Sequence, residues 1–149
     1  ERFPKRKWKK SKIPYSRNKG EKLKMQESGE NYLKTIYLLQ DEGDAVHSVD
    51  VARALNFSKP SVSRAMGLLK NKKYIEIAQN GEITLTVTGR KKAKDIVDKQ
   101  EALMRFFMMT ADVPEEVAVQ EACKMEHFVQ DETYRGICNF MRQVDEYQE

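Results

Sequence analysis

One dipeptide constrains this chain more than any other feature. Asn80-Gly81 lies between Tyr74-Ile75-Glu76-Ile77-Ala78 and Glu82-Ile83-Thr84-Leu85-Thr86-Val87. Both flanks alternate and are rich in β-branched residues. Asn-Gly is the strongest short hairpin signal, because both turn residues accept positive φ. Three helical stretches come before it. The run from Glu30 to Gln40 places Tyr32, Leu33, Ile36, Tyr37 and Leu39 at helical spacing, and Asp41-Glu42-Gly43-Asp44 ends it. Ser48 is a candidate N-cap for a short second helix over Val49–Leu55, with ordered structure expected to begin near Met25. Asn56-Phe57-Ser58 makes a tight connection, and Ser58 caps a third helix that tolerates Pro60 in its first turn and runs to about Lys70. Its inner face is Val62, Ala65, Met66 and Leu69.

Helix, helix, tight turn, helix and hairpin, in that order, describe a winged helix-turn-helix. In that arrangement the second helix braces the third, the third enters a DNA major groove, and the hairpin is the wing. The small residues Ala52 and Ala54 permit close helix approach. The outer face of the third helix offers Ser58, Lys59, Pro60, Ser61, Ser63 and Arg64 and carries no acid. Hydroxyls and Lys59 suit phosphates, Arg64 suits a guanine edge, and Pro60 suits a thymine methyl. Lys70, Lys72 and Lys73 stand where the wing begins and phosphates would pass. A protein-binding winged helix with an ordinary polar face is the competing reading.

Charge divides the chain in three. Residues 1–24 hold 11 Lys/Arg against 2 Asp/Glu, a net of +9. Residues 25–90 hold 8 of each, and residues 91–149 hold 8 basic and 13 acidic, a net of −5. The basic character therefore belongs to the first segment, which reads as a disordered tail with Phe3, Trp8 and Tyr15 among its charges. Such a tail suits an anionic partner. With 34% charged residues and no run approaching the ~18 apolar residues of a spanning helix, no membrane protein is expected, and the location expected is cytoplasmic. Two cysteines, Cys123 and Cys138, cannot build a disulfide framework.

After the hairpin, Thr88 is a candidate cap for a long helix over residues 89–109. A break at Ala111–Pro114 follows, then helices over residues 115–130 and 131–143. The fold class is thus mainly α: a winged helix-turn-helix domain over 25–90 and a helical domain over 91–149. The second domain is rich in Met and Phe around Leu103–Met109 and Ile137–Met141. A unit of roughly 60 residues cannot bury all of these, so a two-fold interface between copies is expected.

Residues 121–127 read Glu-Ala-Cys-Lys-Met-Glu-His. On a helix, Cys123, Glu126 and His127 fall at i, i+3 and i+4, within an arc of about 100°. Thiolate, carboxylate and imidazole on one face suit Fe(II), Co(II), Ni(II) or Zn(II) rather than Mg or Ca. The same residues also suit a buried thiol beside a hydrogen-bonded Glu–His pair.

The stretches ENYLKTIYLLQDEG, VDVARALNFSKPSVSRAMGLLK, LTVTG, and EACKMEH followed by QDE stand in one order and spacing. Together they resemble the metal-dependent repressors of the diphtheria-toxin-repressor and manganese-transport-regulator family, over residues 26–140. The resemblance implies a homodimeric regulator of metal-uptake or metal-homeostasis genes, acting on palindromic duplex DNA and lacking an extra C-terminal β-barrel. It implies Cys123, Glu126 and His127 as metal ligands, with Asn31 in place of the usual Met or Asp, and Lys34 where manganese-type members carry an acid. A second metal site looks lost, because Gln100, Met104 and Val119 stand at its positions. Two readings follow: one ion per site, Fe(II) favoured over Mn(II) by the thiolate, or a DNA binder whose site is too poor to respond. No small organic substrate is expected. With only His47 and His127 and no phosphate loop or nucleophile elbow, neither is catalysis.

Overall fold

The structure, a computed structural model, describes residues 25–43 and 45–147. The basic segment 1–24 lies outside the described residues, and so does what was expected of it. The elements are α1 (Met25–Asp41), α2 (Ser48–Leu55), α3 (Lys59–Asn71), β1 (Ile75–Ile77), β2 (Ile83–Leu85), α4 (Val87–Ala111), α5 (Glu115–Met125) and α6 (Asp131–Tyr147). The chain divides into two compact units, and the division falls within α4, between Val97 and Asp98.

In the first unit, α1, α2 and α3 pack on one another. Leu33, Ile36, Val51, Leu55, Val62, Met66 and Leu69 form the core, closed by Ile75 and Ile83 from the strands. The spacing of Val62, Met66 and Leu69 at i, i+4 and i+7 gives α3 one buried stripe, and its remaining face is open. Ala65 is only half-buried and Ala54 is exposed, so Ala52 alone of the two alanines lies in the α2 packing. Asn56 ends α2 in the left-handed region (φ 53), and the Phe57 amide donates to the Ala52 carbonyl at 3.0 Å. Phe57 then meets the Tyr32 ring edge-on, with centroids 5.7 Å apart. His47, not Ser48, is the N-cap of α2: its amide donates to Asp50 Oδ2 at 2.9 Å.

The hairpin pairs Ile75 with Leu85, Glu76 with Thr84 and Ile77 with Ile83. Its turn differs from the two-residue form that Asn-Gly suggests. The Ala78 amide donates to the Glu82 carbonyl, and the Gly81 amide donates back to Ala78, both at 2.9 Å. Of the turn residues only Gly81 has positive φ (+82). This is a three-residue loop with glycine at the left-handed position, and Asn80 Oδ1 serves instead by accepting the Glu82 amide at 3.1 Å. The outer edge of β2 is also occupied: the Ile83 amide donates to Val46 at 2.7 Å, and Gln40 Nε2 donates to the Ile83 carbonyl at 2.9 Å.

In the second unit, Leu103, Ala118, Val119, Ala122 and Met141 are buried. Lys99 Nζ reaches the Val129 carbonyl at 3.2 Å and Asp131 at 3.3 Å, which fixes the start of α6. Phe106 and Phe140 meet edge-on at 6.0 Å, and Arg105 pairs with Asp145 at 3.3 Å. Helix α5 stops at Met125, five residues before its expected end, and α6 extends to Tyr147.

Candidate nucleic-acid interface and metal-ligating segment

Ser58 is the N-cap of α3. It adopts an extended backbone, accepts the Ser61 amide at 3.4 Å, and lies 2.9 Å from the Ser61 hydroxyl. Both hydroxyls are thus engaged in starting the helix. Pro60 stands in the first turn, where its missing N–H costs nothing. Lys59, Pro60, Ser61, Ser63 and Arg64 are all exposed, as are Lys70, Lys72 and Lys73 where α3 ends and the wing starts. The first turn of α3 holds no acid.

Several basic groups elsewhere are paired with acids. Arg53 pairs with Asp50 at 3.6 Å, Lys92 with Glu30 at 2.9 Å, and Lys99 with Asp131 at 3.3 Å. Among the described residues, Lys59, Arg64, Lys70, Lys72 and Lys73 take part in no ion pair. A cation kept free of internal partners is available to a phosphate or a base edge at no cost of breaking a pair.

Two residues that sequence reasoning passed over fix the base of the wing. Thr86 Oγ1 donates to the Lys73 carbonyl at 2.8 Å, with the Tyr74 carbonyl at 3.2 Å, and accepts the Gly89 amide at 3.0 Å. The side-chain cap at the start of α4 is therefore Thr86 rather than Thr88. Gly89 is buried, and a Cβ there would stand 1.9 Å from the Tyr74 carbonyl oxygen, so no side chain fits. The flanking LTVTG string was the only signal, and it did not show which threonine turns inward.

In the second unit, Cys123 is half-buried in the last turn of α5. Glu126 is the C-cap, still with helical backbone (φ −53, ψ −30), and its amide donates to Ala122 at 2.9 Å. The chain then turns through His127 and Phe128. His127 Nε2 lies 3.4 Å from Glu126 Oε1, with both side chains almost fully buried, at 7% and 0% exposure. The structure thus brings Glu126 and His127 together. Among the described residues no group of three or more His, Cys, Asp or Glu side chains is placed to hold a metal ion, so Cys123 does not complete a ready-made set. The donor chemistry fits a divalent transition metal, and the turn of α5 leaves all three donors within five residues. Asn31, on α1 in the other unit, is buried, and its carbonyl accepts the Thr35 hydroxyl at 2.8 Å.

A three-helix core with a clamped hairpin and a cation-bearing outer helix is a winged-helix domain. Comparison with known proteins names the group. Residues 24–82 match the iron dependent repressor N-terminal DNA binding domain, and residues 86–148 match the iron dependent repressor metal binding and dimerisation domain. The chain belongs to the iron-dependent repressor family, a family of transcriptional repressors and not of enzymes. It is 31% identical over 118 residues to an HTH-type transcriptional regulator of Methanocaldococcus jannaschii, covering 78% of this chain and 94% of that one. It is 30% identical to the iron-dependent repressor IdeR of Mycobacterium leprae, over 72% of this chain and 47% of IdeR. Among solved structures, a manganese-dependent transcriptional repressor in complex with manganese superposes with a TM-score of 0.68 at 25% identity, over 73% of this chain and 50% of that one. The chain spans about half the length of the IdeR and diphtheria toxin repressor relatives it matches. No helix among the described residues is long and apolar enough to cross a membrane.

Proposed function

We propose that this chain is a metal-responsive repressor in which α3 reads the major groove of an operator and the wing follows its backbone, two copies binding a palindrome. One observation carries the reading. The exposed face of α3 and the wing base presents Lys59, Arg64, Lys70, Lys72 and Lys73 without an internal acid partner among the described residues. Arg64 serves as the base-reading residue, Lys70, Lys72 and Lys73 as phosphate contacts, and Ser58 with Ser61 sets the angle at which the helix enters. Residues 1–24, with a net of +9, add sequence-independent attraction. Half-buried Phe106, Phe107, Met108 and Met109, with Phe140 exposed, supply the surface on which copies pair.

The bound ion would be held by Cys123, Glu126 and His127, and it would supply a fixed cross-link between the last turn of α5 and the turn that follows it. The thiolate favours iron over manganese. The burial of Glu126 beside His127 supports this assignment. A second reading, a DNA binder indifferent to metal, is favoured by the absence of a three-donor cluster among the described residues.

The test is selection of bound duplexes from a random pool, followed by affinity measurements with and without Fe(II) or Mn(II). Arg64→Ala is expected to lose about 1–3 kcal/mol and to relax the preference at one base position. Calorimetric titration of Fe(II) and Mn(II) into the protein and its His127→Ala variant separates the two readings. Heat lost in the variant supports metal control, and no heat from either ion with DNA binding intact supports the second.

A further inference from the structure

Every helix of the first unit, and α4 after it, is followed by a residue of positive φ. After α1 this is Gly43 (φ 94), after α2 Asn56 (φ 53), after α4 Asp112 (φ 50), and after α3 Lys73 (φ 59). Glycine, Asn and Asp are the residue types that visit this region readily, because they lack a Cβ or carry a short polar side chain. Lysine has neither excuse. The local hydrogen bonds show what the position asks for. The Lys73 amide donates to the Lys70 carbonyl at 2.9 Å and the Tyr74 amide to the Leu69 carbonyl at 3.0 Å. This is the double-bonded helix ending whose left-handed residue is most often glycine. The third tie is not part of that ending: Thr86 Oγ1 donates to the Lys73 carbonyl from across the hairpin. The Lys73 side chain itself is exposed and takes part in no ion pair among the described residues.

We propose that Lys73 is a phosphate-contacting residue held in an unfavourable backbone conformation, and that Thr86 is its positioning residue. The inference rests on the reading of α3 and the wing as a DNA-binding surface and goes beyond it by naming the residue that positions one of its cations. A strained conformation persists where its surroundings over-determine it and where the side chain it presents has a use. Here the surroundings are the two helix-end bonds and the Thr86 hydroxyl. The use is a cation carried by the residue that joins the reading helix to the wing. Thr86 also accepts the Gly89 amide, so one side chain fixes the wing base and the start of α4 together.

The proposal predicts effects of opposite sign on stability and binding. In the full chain, Lys73→Gly is expected to raise Tm by about 2–4 °C, because glycine occupies this backbone region without strain. The same variant is expected to bind duplex DNA more weakly and to reduce the slope of log K against log salt by about 0.9. Lys73→Arg, which keeps the charge and the strain, should retain the parent slope. Thr86→Val should lower the slope as Lys73→Gly does, and Thr86→Ser, which restores the hydroxyl, should recover it. A merely structural role for Thr86 would change Tm in these variants and leave the slope alone. A Lys73→Gly protein that binds with the parent slope would overturn the proposal, while binding that weakens on Arg64→Ala keeps the broader reading intact. If the parent chain binds no duplex at all, both fall.

Discussion

The two units close their cores in different ways. Residues 25–97 bury large aliphatic side chains completely: Leu33, Ile36, Val51, Val62, Ile75 and Ile83 are all at or below 1% exposure. Residues 98–147 bury mostly small ones, Ala118, Val119 and Ala122 with Leu103 and Met141, while Phe106, Phe107, Met108, Met109 and Ile137 stay half-buried and Phe140 is 43% exposed. The first unit completes its aliphatic core within one chain, although Val49, Leu68 and Val87 remain exposed. The second leaves its largest ones partly open, as expected of a unit that finishes its core against a copy of itself. Ion pairs occur in both units: Arg53 with Asp50 and Lys92 with Glu30 in the first, Lys99 with Asp131 and Arg105 with Asp145 in the second.

The sharpest way to break this comparison is Ile83→Ala. Ile83 is fully buried, and its amide and carbonyl are tied to Val46 and Gln40. The substitution should cost about 2–5 kcal/mol in denaturant unfolding, independent of protein concentration. Gly89→Ala comes next, since the new Cβ would meet the backbone of Tyr74 and not a yielding side chain. A loss of about 1–3 kcal/mol is expected from the same measurement, as for other overpacked sites. Phe140→Ser should behave differently. It should change the unfolding midpoint by under about 1 kcal/mol at high dilution, yet remove the rise of Tm with protein concentration that the parent chain should show. A parent Tm that does not depend on concentration would end the contrast between the units. The smallest effect concerns Lys92, whose pKa is raised above its ordinary 10.5, first by the hydrogen bond to Glu30. A raised folded value means the pair contributes fully below pH 10.5 and loses its contribution as pH climbs through the raised value. Glu30→Gln should therefore narrow the stability difference from the parent only above that pH, and by a small amount because Lys92 is 43% exposed.

Much of the first unit was legible in the sequence because its signals are local. The apolar spacing of α1 and α3, the Ser58 cap and the Asn-Gly turn each act within a few residues. The differences arose where a distant group decides. Thr86 rather than Thr88 caps α4 because the closed hairpin brings the Lys73 and Tyr74 carbonyls to it. Asn80 keeps a negative φ because the Ala78–Glu82 pairing makes room for three loop residues. Helix α5 ends at Met125 although its apolar pattern runs on, and the chain turns through Glu126, His127 and Phe128. In the candidate site, the residue types were readable and their convergence was not. The string Glu-Ala-Cys-Lys-Met-Glu-His named three donors, and the fold brings two of them together.

The loop at the hairpin's far end has one further consequence. Only Gly81 there needs an unusual backbone, while the hairpin is fastened along β2, by Val46 and Gln40 at Ile83 beside the loop and by Thr86 and Gly89 at its base. Gln79 is exposed and takes no part in these ties, so it can be exchanged without disturbing the mounting. On the proposed reading of the wing, contacts along an operator's flanks can change at Gln79 while the scaffold stays as it is.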